Sequence, residues 1–244
     1  MLPTLHLPVF AASLLVLSAC QMDTTQSVEN FEAERIARTM GLVESCRVSE
    51  CGRLNLDSGD LEDYGIVADM AHVTAFMTSY TDFDDLSDIA AMSQLRELHI
   101  GSTQVRDLNG LSNFPSLTLL HAQELRNVND YSAVGRLTGL TELALGRSDL
   151  GDLSVLRGLT RLNSVNLMGA TMTSLNGLRN HPTLESIDLI SADLPEDISV
   201  LKTIPNLREL SVTDWNLSEA QRAVIDELSA SGVNVIYEVA MIVC

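Results

Sequence analysis

Leu140-Thr141-Glu142-Leu143-Ala144-Leu145 spaces its leucines by three residues and then by two. Working outward from it, the same spacing returns at 95–100, 117–122, 162–167, 184–189 and 207–212. The full period is 22 or 23 residues, with units opening at Leu86, Leu108, Tyr131, Leu153, Leu175 and Ile198. After each opening residue the apolar positions are 4, 7, 10, 13, 15 and about 20; position 10 is Leu in all six units. A single long helix cannot produce a spacing that switches from three to two, whereas a short strand inside a repeating unit can. Strand side chains alternate, so positions 13 and 15 point inward and 12 and 14 point to the other face. No unit can bury its apolar side alone, but stacked units cover one another and pair their strands into one parallel sheet. Stepping back from Leu86 gives a unit opening at Tyr64 with Val67, Met70, Val73, Phe76 and Phe83 in register. A further step reaches Leu42, with Leu54, Leu56 and Leu61, and reads as a degenerate capping repeat.

The Leu-x-x-Leu-x-Leu core, followed by Leu-x-Asp-Leu-x-x-Leu as in Leu150-Gly151-Asp152-Leu153-Ser154-Val155-Leu156, resembles the leucine-rich repeat, and the 22-residue period resembles its internalin-type or SDS22-like subclass. The resemblance covers about 42 to 219. It implies an α/β solenoid with a parallel concave sheet, short convex turns and helical caps. The family usually places Asn three positions after the second strand leucine. Here that column holds Thr81, Thr103, Ser148, Ala170, Ala192 and Trp215. Hydroxyls replace part of an amide ladder and alanines do not, so the turns near 170 and 192 are expected to be the least regular.

Each unit ends on an acid or hydroxyl: Asp63, Asp85, Asp107, Asp130, Asp152, Ser174, Asp197 and Glu219. A cation ladder and a row of N-caps both fit such a column. Capping is the better reading, because each residue precedes a short convex turn with free backbone N–H groups and Ser174 serves the same end. Asp82-Phe83-Asp84-Asp85 lacks the glycine of a calcium loop and reads as a solvated acidic rim.

Leu7 to Ala19 is an apolar run of thirteen residues, shorter than the roughly 20 needed to span a bilayer and suited to a secretory signal. Leu17-Ser18-Ala19-Cys20 then resembles the bacterial lipoprotein box, which implies a lipidated Cys20 as the mature first residue. Gln21, where the family's inner-membrane retention signal places Asp, implies the outer membrane. The domain reading is therefore signal peptide 1–19, linker 20–29, N-terminal helix and capping repeat 30–63, repeats 64–217, and a helix-strand cap 218–244. Asn30 is placed to cap a helix ending at about Gly41. Ser218-Glu219-Ala220-Gln221 has the form of a capping box, Gly232 ends the following helix, and Val233 to Val239 reads as a closing strand. Cys46 and Cys51 are close enough to form a disulfide in an oxidising compartment, or are two small buried residues of the cap. Cys244 is left over, as an inert thiol or an interchain partner.

Lys and Arg number 15 against 33 Asp and Glu, a net charge of −18, and Lys202 is the one lysine. A nucleic-acid groove and a polybasic membrane patch have no source of charge. A phosphate loop of the Walker type is excluded because no glycine-rich turn precedes Lys202. Zinc-protease, Cys-x-x-Cys and Gly-x-Ser-x-Gly signatures are absent. No cofactor is expected. His99 and His121 share position 14 of successive units and are expected to project side by side from adjacent strands. With Glu97, Glu124 or Glu142 nearby they could ligate a metal or serve as acid and base, but no column supplies a further ligand. His181 falls in an inward column and reads as a satisfied core histidine.

The outward face is otherwise small and polar, with Tyr80, Leu119, Met168 and Ile190 interspersed. Together with His99 and His121 these form the expected partner-binding surface. The leading expectation is a non-enzymatic, lipid-anchored, monomeric scaffold of the bacterial envelope that binds an unidentified protein on its concave sheet. The alternatives are a metal-dependent or acid/base site around His99 and His121, and a structural envelope protein that self-associates.

Overall fold

The computed structural model describes residues 15–238, with side chains from residue 30 onward. The start of the apolar N-terminal run, the side chain of Cys20 and the segment holding Cys244 lie outside the described residues.

Nine strands form one parallel sheet in sequence order: β1 Arg53–Asn55, β2 Ala75–Met77, β3 Glu97–His99, β4 Leu119–His121, β5 Glu142–Ala144, β6 Ser164–Asn166, β7 Ser186–Leu189, β8 Glu209–Thr213 and β9 Asn234–Glu238. Register is uniform. Leu54, Phe76, Leu98, Leu120, Leu143, Val165, Ile187, Leu210 and Val235 lie directly opposite one another along the array. From Leu54 to Leu210 this column is buried and continuous with the one core. A one-residue slip would turn it out to solvent, so the leucine column itself fixes the register.

The expected capping column is formed. The carboxylates of Asp63, Asp85, Asp107, Asp130, Asp152 and Asp197 accept from the backbone N–H two residues on at 2.7–2.9 Å, and the hydroxyl of Ser174 does so at 3.1 Å. Hydrogen bonds from the following serine hold Asp85, Asp130, Asp152 and Asp197 below the usual carboxylate range. The row ends there: Glu219 is the first residue of α2 (Glu219–Ala230), and Ser218 is its cap, with Gln221 completing the capping box. Short 3-10 turns follow the caps, such as Tyr64–Val67 and Leu86–Ile89.

The turns near 170 and 192 keep their geometry, against the expectation from their alanines. Ala170 and Ala192 donate from their backbone N–H to the Leu167 and Leu189 carbonyls at 3.0 and 3.1 Å, as Gly59 does to Leu56 at 2.9 Å. At Thr81 and Thr103 the side-chain hydroxyl donates instead, to the Thr78 and Ile100 carbonyls. What the units share instead is a left-handed residue two places beyond the second inward position: Ser58, Tyr80, Ser102, Glu124, Arg147, Gly169 and Ser191 all have φ between 55 and 67°.

The N-terminal helix departs from expectation at both ends. α1 runs Leu15–Ser49, so residues 20–29 are helical rather than linker and Gly41 does not stop the helix. Continuation past Gly41 lets Val43 and Cys46 close the open end of the core beside β1, while Leu42, expected to open a repeat, lies exposed on the helix. Arg35 pairs with Asp60, and Arg47 donates to the Ile66 carbonyl at 2.5 Å and to Asp69 at 3.2 Å, tying the helix to the first unit. Cys46 at the helix end is disulfide-bonded to Cys51, with Cα atoms 4.8 Å apart. Closing so small a loop is worth on the order of 2 kcal/mol. Cys51→Ser is therefore expected to lower unfolding free energy by about that amount. Equal urea midpoints for the variant and the unreduced chain would refute this.

Candidate functional site on the open sheet face

The outward columns are set by the same register. His99 and His121 are direct partners across β3 and β4, followed by Ala144, Asn166 and Asp188 on β5 to β7. Their rings meet edge to face with centroids 4.4 Å apart. Of the three expected carboxylates, two reach them: Glu97 bonds His99 Nε2 and Glu142 bonds His121 Nε2, each at 2.9 Å. Glu124 turns away to Arg126 and Arg147, at 2.5 and 2.9 Å. Arg53 completes the line by donating twice to Glu97 at 2.7 Å. Burial is the largest single influence on Glu97 and raises its pKa, but hydrogen bonds from Arg53 and His99 outweigh it and leave the group below its usual value. Burial, aided by the His121 ring, lowers the pKa of His99, against the pull of Glu97.

This arrangement uses one nitrogen of each ring on a carboxylate. Among the described residues no group of three His, Cys, Asp or Glu is arranged to hold a metal ion. The arrangement is two hydrogen-bonded groups, Arg53–Glu97–His99 and His121–Glu142, that meet through the edge-to-face imidazoles between β3 and β4.

Tyr80 stands 63% exposed in its left-handed turn beyond β2. Leu119, Met168 and Ile190 are half-buried, Leu119 on β4 and the other two just after β6 and β7. Tyr80, His121 and Met168 line one depression of about 480 Å³, together with Gln123, Asp188 and Glu209. His99, Leu119 and Ile190 lie outside its lining. Sequence reasoning missed the Arg53–Glu97 pair and the Asn166–Asp188 hydrogen bond at 2.9 Å. Both join residues 22 or 44 apart, and the 22-residue period was the signal that could have found them.

His181 is buried in its inward column, 3% exposed, but it is not satisfied: neither ring nitrogen has a hydrogen-bond partner. Burial lowers its pKa, and the Leu159 carbonyl opposes this without reaching bonding geometry. A histidine whose folded pKa is depressed stabilises the fold above its unfolded value, near 6.5, and the contribution is lost as pH falls from there. Stability is therefore expected to decline below about pH 6.5. His181→Leu, which matches Leu159 of the preceding unit, should flatten that decline and add about 1 kcal/mol at pH 7 by removing buried unpaired nitrogens. Urea midpoints across pH 5 to 8 that superimpose for the two proteins would refute this.

No protein-family model matches the chain, and neither does any curated protein. Solved structures do. An internalin (inlF) from Listeria monocytogenes superposes with a TM-score of 0.63 at 20% identity, covering 77% of this chain and 53% of that one. An internalin C2 (inlC2) from the same organism gives 0.63 at 20% identity, covering 78% and 80%. The chain thus spans about half the length of the first structure. Shared architecture at this identity, with nine strands in register and a capped turn in each unit, makes the chain a leucine-rich-repeat solenoid.

Proposed function

We propose that the chain is a non-enzymatic, lipid-anchored scaffold of the bacterial envelope that binds a partner protein on the open face of its sheet. The observation that carries the reading is one continuous outward face holding an exposed Tyr80 and half-buried Leu119, Met168 and Ile190 amid polar side chains. Apolar anchors set in a polar surround are the composition of a recognition surface. Fold likeness to internalins adds an architecture in which such a face is available, and repeat scaffolds serve many partners. Anchoring rests on Leu17-Ser18-Ala19-Cys20, and the outer membrane on Gln21. No described helix is long and apolar enough to cross a membrane.

The test is capture from envelope extract with the detergent-solubilised full chain. Leu119→Ala, Met168→Ala and Ile190→Ala together should weaken the captured partner at least about tenfold, since interface anchors cost 1 kcal/mol or more each. Retained affinity, with loss instead on substituting the 3-10 turns of the opposite side, would refute the surface. In the same preparation Cys20→Ala should move the protein out of the detergent phase. Wild type in the aqueous phase would refute the anchor.

A further inference from the structure

The charges on the open face are not balanced, and the imbalance is local. In the two outward strand columns from β1 to β9 the one Arg or Lys is Arg53, against Glu97, Glu142, Asp188 and Glu209. Arg53 is committed to Glu97 by two hydrogen bonds of 2.7 Å. Among the described residues none of the three remaining carboxylates meets an arginine or lysine. Glu142 meets His121, Asp188 takes the Asn166 amide and the Ile190 backbone N–H, and Glu209 accepts from Ser186 at 3.3 Å.

All three line the same depression, with Tyr80 and Gln123; the one arginine or lysine of its lining, Arg147, is held at 2.9 Å by Glu124, a fourth acid there. Gln123 brings an unspent acceptor, since its Oε1 is buried without a hydrogen-bond partner. A buried acceptor left unpaired costs free energy that a donor from outside recovers. Tyr80 brings an exposed aromatic ring, held on a left-handed backbone that bulky side chains rarely adopt. Acceptors, unbalanced carboxylates and an aromatic face all favour a cationic donor, and guanidinium satisfies the three together.

We infer that the occupant of this face is an extended, arginine-bearing segment of a partner protein, laid across the strands from Tyr80 toward Glu209. The inference rests on the open-face reading above and names the chemistry of the partner. From β5 to β8 the strands span about 14 Å at their usual spacing of about 4.8 Å, a distance that four or five extended residues cover. Continuing to the β2 turn doubles it, so a segment of roughly nine residues crosses from Glu209 to Tyr80. Depression and charge occupy the same stretch of the face, which places arginines at alternate positions of the segment opposite Glu209, Asp188 and Glu142, with one more over Tyr80.

The experiment uses the full chain in detergent and a fluorescein-labelled dodecapeptide alternating Arg and Ser, read by anisotropy. A second peptide carries Gln in place of each Arg. The arginine peptide should bind and the glutamine peptide should bind at least tenfold more weakly. The triple variant E142Q/D188N/E209Q should raise the Kd for the arginine peptide at least tenfold, and Tyr80→Ala at least threefold. A control with the same change in charge, E32Q/E62Q/D88N in the acidic depression beside Tyr64, should leave the Kd within twofold. Equal losses in the two triples would reduce the effect to bulk charge and overturn the inference, as would equal binding of the two peptides or none of the arginine one. Failure of the parent reading looks different. A captured partner lost with Leu119, Met168 and Ile190 but indifferent to E142Q/D188N/E209Q overturns the basic segment and leaves the open-face surface standing. A partner lost only through the opposite side overturns both.

Discussion

Leu143→Ala is expected to lower the unfolding free energy by about 2–5 kcal/mol, the range for emptying a fully enclosed leucine site. Leu143 is fully buried, sits at the middle of the inward column, and pairs in register with Leu120 and Val165. In a solenoid each unit is stabilised mainly by its two neighbours. A cavity in β5 therefore weakens two interfaces at once, and the array has equal numbers of strands on either side to lose. Leu119→Ala supplies the comparison. It is a leucine in the adjacent strand, one residue from the inward column, but half-buried on the open face. It should cost less than about 1 kcal/mol, because most of its surface change involves solvent rather than packed neighbours. Urea unfolding of both variants checks the pair. Equal losses would mean that Leu119 is as enclosed as Leu143, and a larger loss at Leu119 that the face assignment on β4 and β5 is inverted.

The solenoid was legible because its cause is local and repeated. A three-then-two leucine spacing fixes strand, face and register in the same six residues, and every unit restates it. The capping column was legible for the same reason: an acid before each turn has one local task. His99 beside His121 followed from register alone. The helix length was not legible, because Gly41 is a stop signal only when nothing beyond it gains by remaining helical; Val43 and Cys46 gain by sealing the core. Nor was the regularity of the turns at 170 and 192, since a backbone N–H to the strand carbonyl holds them without the side chain. His181 was placed correctly in the core but its polar state was not, because a column reports burial and says nothing of partners. On the open face, sequence supplied the members and the structure supplied the pairing. Arg53 spends its charge on Glu97, and that leaves Glu142, Asp188 and Glu209 without a cation.

Gly177→Ala should be among the most damaging single substitutions outside the strands, costing about 3 kcal/mol or more. An added Cβ would stand 1.8 Å from the Leu153 carbonyl oxygen and 2.3 Å from its carbon. Both are backbone atoms and neither can rotate aside as a side-chain tip could. Leu153 itself is buried and held at φ 56°, so the carbonyl that meets Gly177 belongs to a residue already fixed in the left-handed region. The close approach has a purpose. It lets the Gly177 N–H reach the Asp152 carbonyl at 3.2 Å, joining one unit's 3-10 turn to the cap of the unit before it. Relief of the clash would require the two units to separate, opening the apolar layer beneath Leu153, Leu156, Leu175 and Leu178. Gly151 separates this effect from backbone strain. Its φ is +58°, yet nothing lies within 4 Å of an added Cβ. Gly151→Asn should therefore be mild, because asparagine tolerates the left-handed region. Gly177→Asn should be as harmful as alanine or worse, because space rather than φ is lacking. Thermal melts of the three variants decide the matter: asparagine rescuing position 177, or position 151 proving the more costly, would show that the units do not approach one another as the backbone indicates.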